Sequence, residues 1–265
     1  MTVREVASAL AAAGVPSADH DARVLVRLAA DNAVPLDRLV AARAARVPLQ
    51  HLTGSAGFRY LDLAVGPGVF VPRPETELLV HAVLSALELL PANRTPVVVD
   101  LCAGSGAIGL SVVHEHPRAV VHLVESSAPA FEWLRRNAAG SIAPDRLRLH
   151  RADLAAAPTD VDRSVDVVVS NPPYVPLDER DLVDPEVREH DPDEALWADE
   201  EGLSVIQRVV DRASTLLRPG GVLVIEHSER HNRSVPELLA AAGFSGVVDH
   251  TDLIGRSRFT VGTAA

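Results

Sequence analysis

The chain has 265 residues, 47% hydrophobic, with 25 Lys and Arg against 36 Asp and Glu and a net charge of −11 with His neutral. That size and apolar content bury a large core and exclude a disordered or fibrous protein, and the acidic balance argues against binding driven by nucleic-acid phosphates. A single cysteine, Cys102, excludes an internal disulfide and fits a reducing cytosol, and no run reaches the roughly 18 to 20 apolar residues of a membrane span.

Residues 1 to 55 are rich in Ala, Leu, Val and Arg at helical spacing, broken at Gly14, Pro16 and Pro35, and predict a small helical domain. Its first stretch, "MTVREVASALAAAGV", carries acid and lacks the long apolar core of a signal peptide, so a cytoplasmic protein is expected. Over 56 to 73, alternating apolar and polar positions around Gly66-Pro67-Gly68 predict a linking β-hairpin. Residues 74 to 265 form the expected main domain, opened by Pro74 and acids in the first turn of an amphipathic helix. From Pro96 onward apolar runs such as "VVVDL", "AVVHLVE" and "SVDVVVS" alternate with helical patterns. Parallel strands need helical crossovers, so this rhythm predicts an α/β, doubly wound, mostly parallel sheet.

"VVVDLCAGSGAIGL" places Gly104, Gly106 and Gly109 between a buried strand and a helix. Glycines there let backbone approach a ligand at a helix N-terminus, and a dinucleotide or an adenosyl cofactor could use them. Glu125 ends the second strand, where a carboxylate can accept from both ribose hydroxyls. Asp100, beneath the loop, opposes a pyrophosphate but suits a cationic sulfonium ligand with an ammonium group; capping the turn is its other reading. Asp153 follows the third strand and either accepts from an adenine amino group or is a solvated loop acid.

"SNPPYVP", residues 170 to 176, follows the fourth strand, which lies beside the first in such a sheet, so it meets the glycine loop where ligands bind. The prolines stiffen the turn. The Asn171 side-chain oxygen and the Pro172 carbonyl can both accept from one NH₂ group while the Tyr174 ring packs on a flat amide or base. Two acceptors favour pyramidal nitrogen and turn its lone pair toward an electrophile, which explains a site with no His, Asp or Cys in the motif.

These residues resemble the protein-(glutamine-N5) methyltransferases that modify peptide-chain release factors. The similarity runs through "PLQHLTG" (48 to 54), "GVFVPRPETELLV" (68 to 80), the glycine loop, "SNPPYVP", "LLRPGGVLVIEH" (216 to 227) and "DLIGRSRF" (252 to 259). The resemblance implies a class I S-adenosylmethionine-dependent fold with a seven-stranded sheet, a helical domain that grips the release factor, and methylation of the glutamine in its Gly-Gly-Gln loop. It implies that Asp100, Cys102, Ala103, Gly104, Ser105, Gly106, Glu125, Asp153, Leu154 and Asn171 hold S-adenosylmethionine, with no metal. Asn171, Pro172, Pro173 and Tyr174 would hold the substrate amide, with Phe70 and Arg73 beside them, and Asn171, Pro172 and Tyr174 would be catalytic. Asn-Pro-Pro-Tyr is shared with adenine-N6 methyltransferases of DNA and RNA, which is the alternative reading; net charge argues against it, and a monomer without nucleic-acid or membrane partners is expected.

Several positions depart from the family pattern. Cys102 and Leu154 stand where Gly and an aromatic residue are usual, "EHSERH" lacks the glycine after its His, and the helical domain is short by about one average helix pair. His227 and His231 are weighed as zinc ligands and set aside for want of a third. His114 and His116 read as a helix end, Trp133 as core, and 177 to 201, with Trp197, as a lid or an exposed loop.

Overall fold

A computed structural model describes residues 1–156 and 158–265, with Glu200 described through its backbone. Four helices open the chain: α1 (Val3–Ala12), α2 (Ala18–Asn32), α3 (Leu36–Ala44) and α4 (Leu49–Thr53). A reciprocal cap starts α1, since Thr2 Oγ1 accepts from the Glu5 N–H at 3.3 Å and the Glu5 carboxylate accepts from the Thr2 N–H at 2.8 Å. Val6, Leu10, Leu25 and Leu39 give these helices a small core of their own. Buried Arg43 ties α3 to α2 through Asp21 at 2.7 Å, and the Val47 carbonyl at 2.9 Å and Glu186 at 2.6 Å give it the further partners that a buried cation requires.

The hairpin that follows differs from the sequence expectation. Its strands are β1 (Ser55–Phe58) and β2 (Leu61–Ala64), so the turn is Arg59-Tyr60, not Gly66-Pro67-Gly68. A tertiary anchor replaces turn chemistry: Arg59 holds φ 51° while its N–H donates to Glu77 at 3.0 Å and its guanidinium makes two 2.5 Å bonds to Glu115. The glycines serve packing instead. A Cβ on Gly66 would lie 2.5 Å from the Trp133 ring, whose N–H donates to the Pro67 carbonyl, so Trp133 is half-buried under this loop and lies outside the main core.

A 3₁₀ turn, Pro74–Thr76, leads into α5 (Glu77–Glu88). The doubly wound region then runs β3 (Val97–Leu101), α6 (Ala107–Glu115), β4 (Val120–Glu125), α7 (Ala128–Ala139), β5 (Leu147–Arg151) and β6 (Val165–Ser170). A crossing segment carries β7 (Val175–Pro176), α8 (Pro185–His190), α9 (Asp193–Leu196) and β8 (Trp197–Ala198). The chain finishes with α10 (Ser204–Leu216), β9 (Leu217–Glu226), α11 (Ser234–Ala241), β10 (Ser245–Thr251) and β11 (Ser257–Thr263).

The main sheet has seven strands in the order β10-β11-β9-β6-β3-β4-β5, with β11 antiparallel to both neighbours and the rest parallel. Each central strand is covered on both faces, which is why they read as apolar runs. Strand alternation splits the core in two: Val98, Val121 and Val167 face Leu79, Val83 and Leu110 on one side, while Val99, Val168 and Leu223 face Ile206, Val209 and Val210 on the other. Successive crossovers from β3 go to β4 and β5 on one side, then to β6 and β9 on the other. The reversal leaves a crevice at the carboxyl ends of β3 and β6, where ligands bind in sheets of this kind.

Candidate active site

The glycine loop after β3 winds through left-handed backbone at Cys102 (φ 61°), Gly104 (φ 56°) and Gly106 (φ 88°). Gly106 has no room for a side chain, since a Cβ would meet Leu134 at 2.6 Å and Leu110 at 2.9 Å. Gly104 faces open space instead, so its backbone is free for a ligand to approach. Its N–H donates to Glu125 Oε2 at 2.8 Å, and the Ser127 N–H donates to Oε1 at 2.7 Å. Burial raises the Glu125 carboxyl above its usual range, and these N–H groups pull it back. Each oxygen retains a lone pair, as a partner for two vicinal hydroxyls needs.

A cavity of about 370 Å³ lies over this loop. Of the residues expected to hold the cofactor, Cys102, Ala103, Gly104, Ser105, Glu125, Asp153, Leu154 and Asn171 line it. Asp100 and Gly106 sit behind the wall. Asp100 is fully buried, with Oδ2 accepting from the Gly109 N–H at 2.9 Å and Oδ1 without a partner. Burial, reinforced by Glu125, pushes its carboxyl up to about 7. It braces the first turn of α6 from below. Burial first and Glu125 second push the Cys102 thiol up to about 12, which disfavours its thiolate. Asp153 spends Oδ1 on Arg208 at 2.5 Å and on the Ala155 N–H at 2.9 Å, and the Arg208 bond holds it below the usual carboxylate range.

Phe70, Arg73 and Asn171 to Tyr174 line the other half of the cavity. The Tyr174 hydroxyl points out of it and donates to Glu226 Oε1 at 3.1 Å, so the ring is a wall and its oxygen is already committed. Asn171 Nδ2 donates to Thr76 Oγ1 at 3.3 Å, and the Thr76 hydroxyl donates to Glu226 Oε2 at 2.8 Å. Glu226 ends β9, is 2% exposed, and is pushed up to about 7 by burial against the lowering effect of these bonds and Arg258. Arg73 pairs with buried Asp191 at 2.5 Å and stacks over Phe70 with 4.9 Å to the ring centre. Burial drives Asp191 up to about 6 despite that arginine.

The crossing segment covers the cavity through Val187, Pro192 and Leu196. Trp197 is not in the wall; its ring N–H donates to Asp193 at 2.8 Å and Arg180 stacks on it at 5.5 Å. Among the residues with no role in the sequence reading, Glu75, Thr76 and Arg208 are polar groups that line the cavity and Glu226 supports it from behind. Thr76 and Glu226 lie inside the stretches "GVFVPRPETELLV" and "LLRPGGVLVIEH" without a role of their own in the sequence. The two histidines weighed as zinc ligands are occupied elsewhere: His227 reaches Thr260 at 2.9 Å and Asp249 at 3.1 Å, and His231 reaches the Glu201 carbonyl at 2.9 Å. His116 accepts from the Ala119 N–H at 3.1 Å, and His114 stacks on Tyr60 with 6.3 Å between ring centres.

The residues present fit S-adenosylmethionine: an open glycine cradle, a two-oxygen acceptor at Glu125, no cation facing a pyrophosphate within the loop, and an apolar wall at Leu154. A family model described as "Methyltransferase small domain" matches residues 75–183. A solved ribosomal protein L11 methylase from Lactobacillus delbrueckii subsp. bulgaricus shares the fold with a TM-score of 0.50 at 16% identity, covering 76% of this chain and 84% of that one. Fold and site together define a methyltransferase of class I that uses S-adenosylmethionine. A release factor glutamine methyltransferase of Streptomyces coelicolor is 47% identical, over 95% of this chain and 84% of the relative. A 4-amino-L-phenylalanine/4-methylamino-L-phenylalanine methyltransferase of Streptomyces pristinaespiralis is 42% identical over 76% and 68%. The chain belongs to the release factor glutamine methyltransferase family.

Proposed function

We propose that this protein transfers a methyl group from S-adenosylmethionine to the side-chain nitrogen (N5) of the glutamine in the Gly-Gly-Gln loop of peptide-chain release factors. The observation that carries the reading is the meeting of the glycine cradle with the Asn171-Pro172 acceptors in one cavity. Bound in the cradle, S-adenosylmethionine supplies an electrophilic methyl group on a positively charged sulfur. The Asn171 Oδ1 and the Pro172 carbonyl accept from the two hydrogens of the amide, fixing it and favouring the pyramidal nitrogen that attacks. Glu75 lines the same wall, and a carboxylate there favours positive charge developing on that nitrogen. Phe70, Arg73 and the Tyr174 ring border the entering side chain.

The helices before β1 act as the grip for the release factor, as a monomer in the cytoplasm with no nucleic-acid partner. Among the described residues no helix is long and apolar enough to cross a membrane. The match to the Streptomyces coelicolor relative covers 95% of the chain, whereas the match to the amino-phenylalanine enzyme covers 76%, which favours a protein substrate over a free aromatic amine. The test is incubation of the purified protein with S-adenosylmethionine and unmethylated release factor of the same organism, followed by peptide mass spectrometry. A methyl on the Gly-Gly-Gln glutamine supports the reading. Transfer only to free aromatic amines, or to adenine in DNA or RNA, overturns it.

A further inference from the structure

Asn171 has two chemically opposite ends of nearly the same shape, and only one of them suits an amide NH₂. If its own NH₂ faced the cavity, two donors would confront each other across the reacting nitrogen. Local backbone does not decide between them. The decision falls to the chain Asn171 Nδ2 to Thr76 Oγ1 at 3.3 Å, Thr76 hydroxyl to Glu226 Oε2 at 2.8 Å, and Tyr174 hydroxyl to Glu226 Oε1 at 3.1 Å. An ionised carboxylate can only accept. Both hydroxyls must therefore point at Glu226, Thr76 must receive from Asn171, and the Asn171 oxygen is left for the cavity.

We infer that Glu226 is a positioning residue for methyl transfer: its carboxylate sets, through Thr76, the direction in which the Asn171 amide faces. The inference rests on the proposed amide-methylating role of Asn171. Its geometry does not, since all four side chains belong to this chain and are anchored at three separate places: Thr76 before α5, Asn171 and Tyr174 after β6, and Glu226 at the end of β9.

Protonation of Glu226 would undo the arrangement. The neutral acid carries its own O–H and can donate to Thr76, whose hydroxyl is then free to donate to Asn171, and the amide that best accepts it has its oxygen turned away from the substrate. Burial raises Glu226, so this change falls in an accessible range near 7. The charged and titratable groups around it are Tyr174 and Glu75 from the loops on either side and Arg258 from β11, with His227 next to it in sequence. Burial and Glu226 itself hold Tyr174 well above its usual range, so it stays neutral here, and Arg258 stays charged. Above Glu226's pKa the carboxylate directs the chain; as pH falls through it, turnover should fall while cofactor affinity does not.

The experiment compares wild type with Glu226→Gln, Thr76→Val and Thr76→Ser from pH 5.5 to 8.5. It reads kcat and KM on release factor, cofactor affinity by calorimetry, and the Asn171 side-chain NH₂ signal by nitrogen-15 NMR, assigned by its loss in Asn171→Asp. Glu226→Gln and Thr76→Val should each lower kcat at pH 8 by about 10- to 100-fold, the scale of one or two misdirected hydrogen bonds, with cofactor affinity within about threefold. Thr76→Ser, which keeps the hydroxyl, should restore kcat to within about threefold, and the double variant should lose no more than either single change because both break one chain. The acid limb of the wild-type profile should disappear in Glu226→Gln, and the Asn171 signal should follow pH in wild type only. A Glu226→Gln enzyme within twofold of wild type at pH 8, or one that keeps the acid limb, overturns the inference. If wild type methylates no glutamine yet its Asn171 signal titrates and that of Glu226→Gln does not, the positioning stands and the proposed substrate falls. A signal indifferent to pH in wild type overturns the positioning alone.

Discussion

In the cofactor half of the cavity the carboxylates that brace the glycine loop take partners 2, 9 and 21 positions away, Glu125 with Ser127, Asp100 with Gly109, and Glu125 with Gly104, and the pair Asp153–Arg208, 55 positions apart, is the long-range exception. In the substrate half the corresponding contacts span 52, 95 and 150 positions: Tyr174 with Glu226, Asn171 with Thr76, and Thr76 with Glu226. The first half is made by carboxylates collecting backbone N–H groups within one strand-loop-helix unit and its neighbour. The second is made by side chains that meet only when the whole sheet and the leading hairpin are in place. A local design tolerates loss of one side chain as a loss of affinity, whereas a converging one turns the same loss into misdirection of the reacting group.

The largest expected effect lies in the converging half. Asn171→Ala removes an acceptor that matters as charge develops on nitrogen, so kcat should drop by about 10²- to 10³-fold, with cofactor affinity within about threefold. Steady-state kinetics with calorimetry checks the split. Activity within a few-fold of wild type would remove the amide-orienting role and dissolve the contrast between the halves. Glu125→Ala should show the reverse pattern, weakening cofactor binding by about 10- to 100-fold through lost hydrogen bonds and a loosened Gly104, while kcat at saturation changes little. A variant whose kcat fell and whose cofactor affinity held would show that the cofactor half also directs the chemistry.

The same difference in sequence distance decides how much was legible beforehand. The doubly wound, mostly parallel sheet could be read because buried parallel strands demand unbroken runs such as Val97–Leu101 and Val165–Ser170, its count of seven strands came from the family resemblance, and the glycine loop could be read because its constraints are neighbours in sequence. Asn171 and Tyr174 were visible as residue types in a stiff turn. Their supports were not: nothing near position 171 points to Thr76 or Glu226, and Glu226 reads in sequence as the acidic end of a strand. Asp100 marks the limit in the other direction, since a carboxylate at a strand end has the same appearance whether it faces a ligand or, as here, braces a helix N–H from below. The hairpin turn was misplaced because Arg59 occupies a left-handed position that glycine usually fills, held there by Glu77 and Glu115, which lie 18 and 56 residues away.

A smaller effect tests whether the local half is as self-contained as it looks. Gly106→Ala places a Cβ against Leu134 and Leu110 at a residue with φ 88°, so strain and overlap act together. The expected cost is about 1 to 3 kcal/mol, or a fall of roughly 2 to 4 °C in Tm per kcal/mol for a chain of this size. Because Gly106 lies behind the cavity wall, cofactor affinity should follow stability only weakly. An unchanged Tm with lost binding would place the glycine in the ligand's path instead.

The smallest expected effect separates acid loss of activity from acid loss of the fold. His122 on β4 stacks on His150 of β5 with 5.2 Å between ring centres and Nδ1 3.0 Å from the other ring's Nε2. Burial first, then the His150 charge, lowers His122 to about 4. A histidine depressed in the folded state gives stability that is fully present above its ordinary value of 6.5 and is lost as pH falls from there toward the folded value, because the unfolded chain takes up the proton first. His150 is lowered by burial as well and adds in the same direction. His122→Asn keeps a polar partner for His150 without titrating, so its Tm should fall less than wild type between pH 7 and 4.5, by roughly 2 to 4 °C. Thermal scans of the two proteins across that interval give the answer, and parallel curves would mean the pair does not sense acid. The pair belongs to the β4–β5 edge and Glu226 to β9, so a protein whose Tm is improved in acid by His122→Asn should still lose turnover near pH 7, which isolates the positioning carboxylate from the stability of the sheet that carries it.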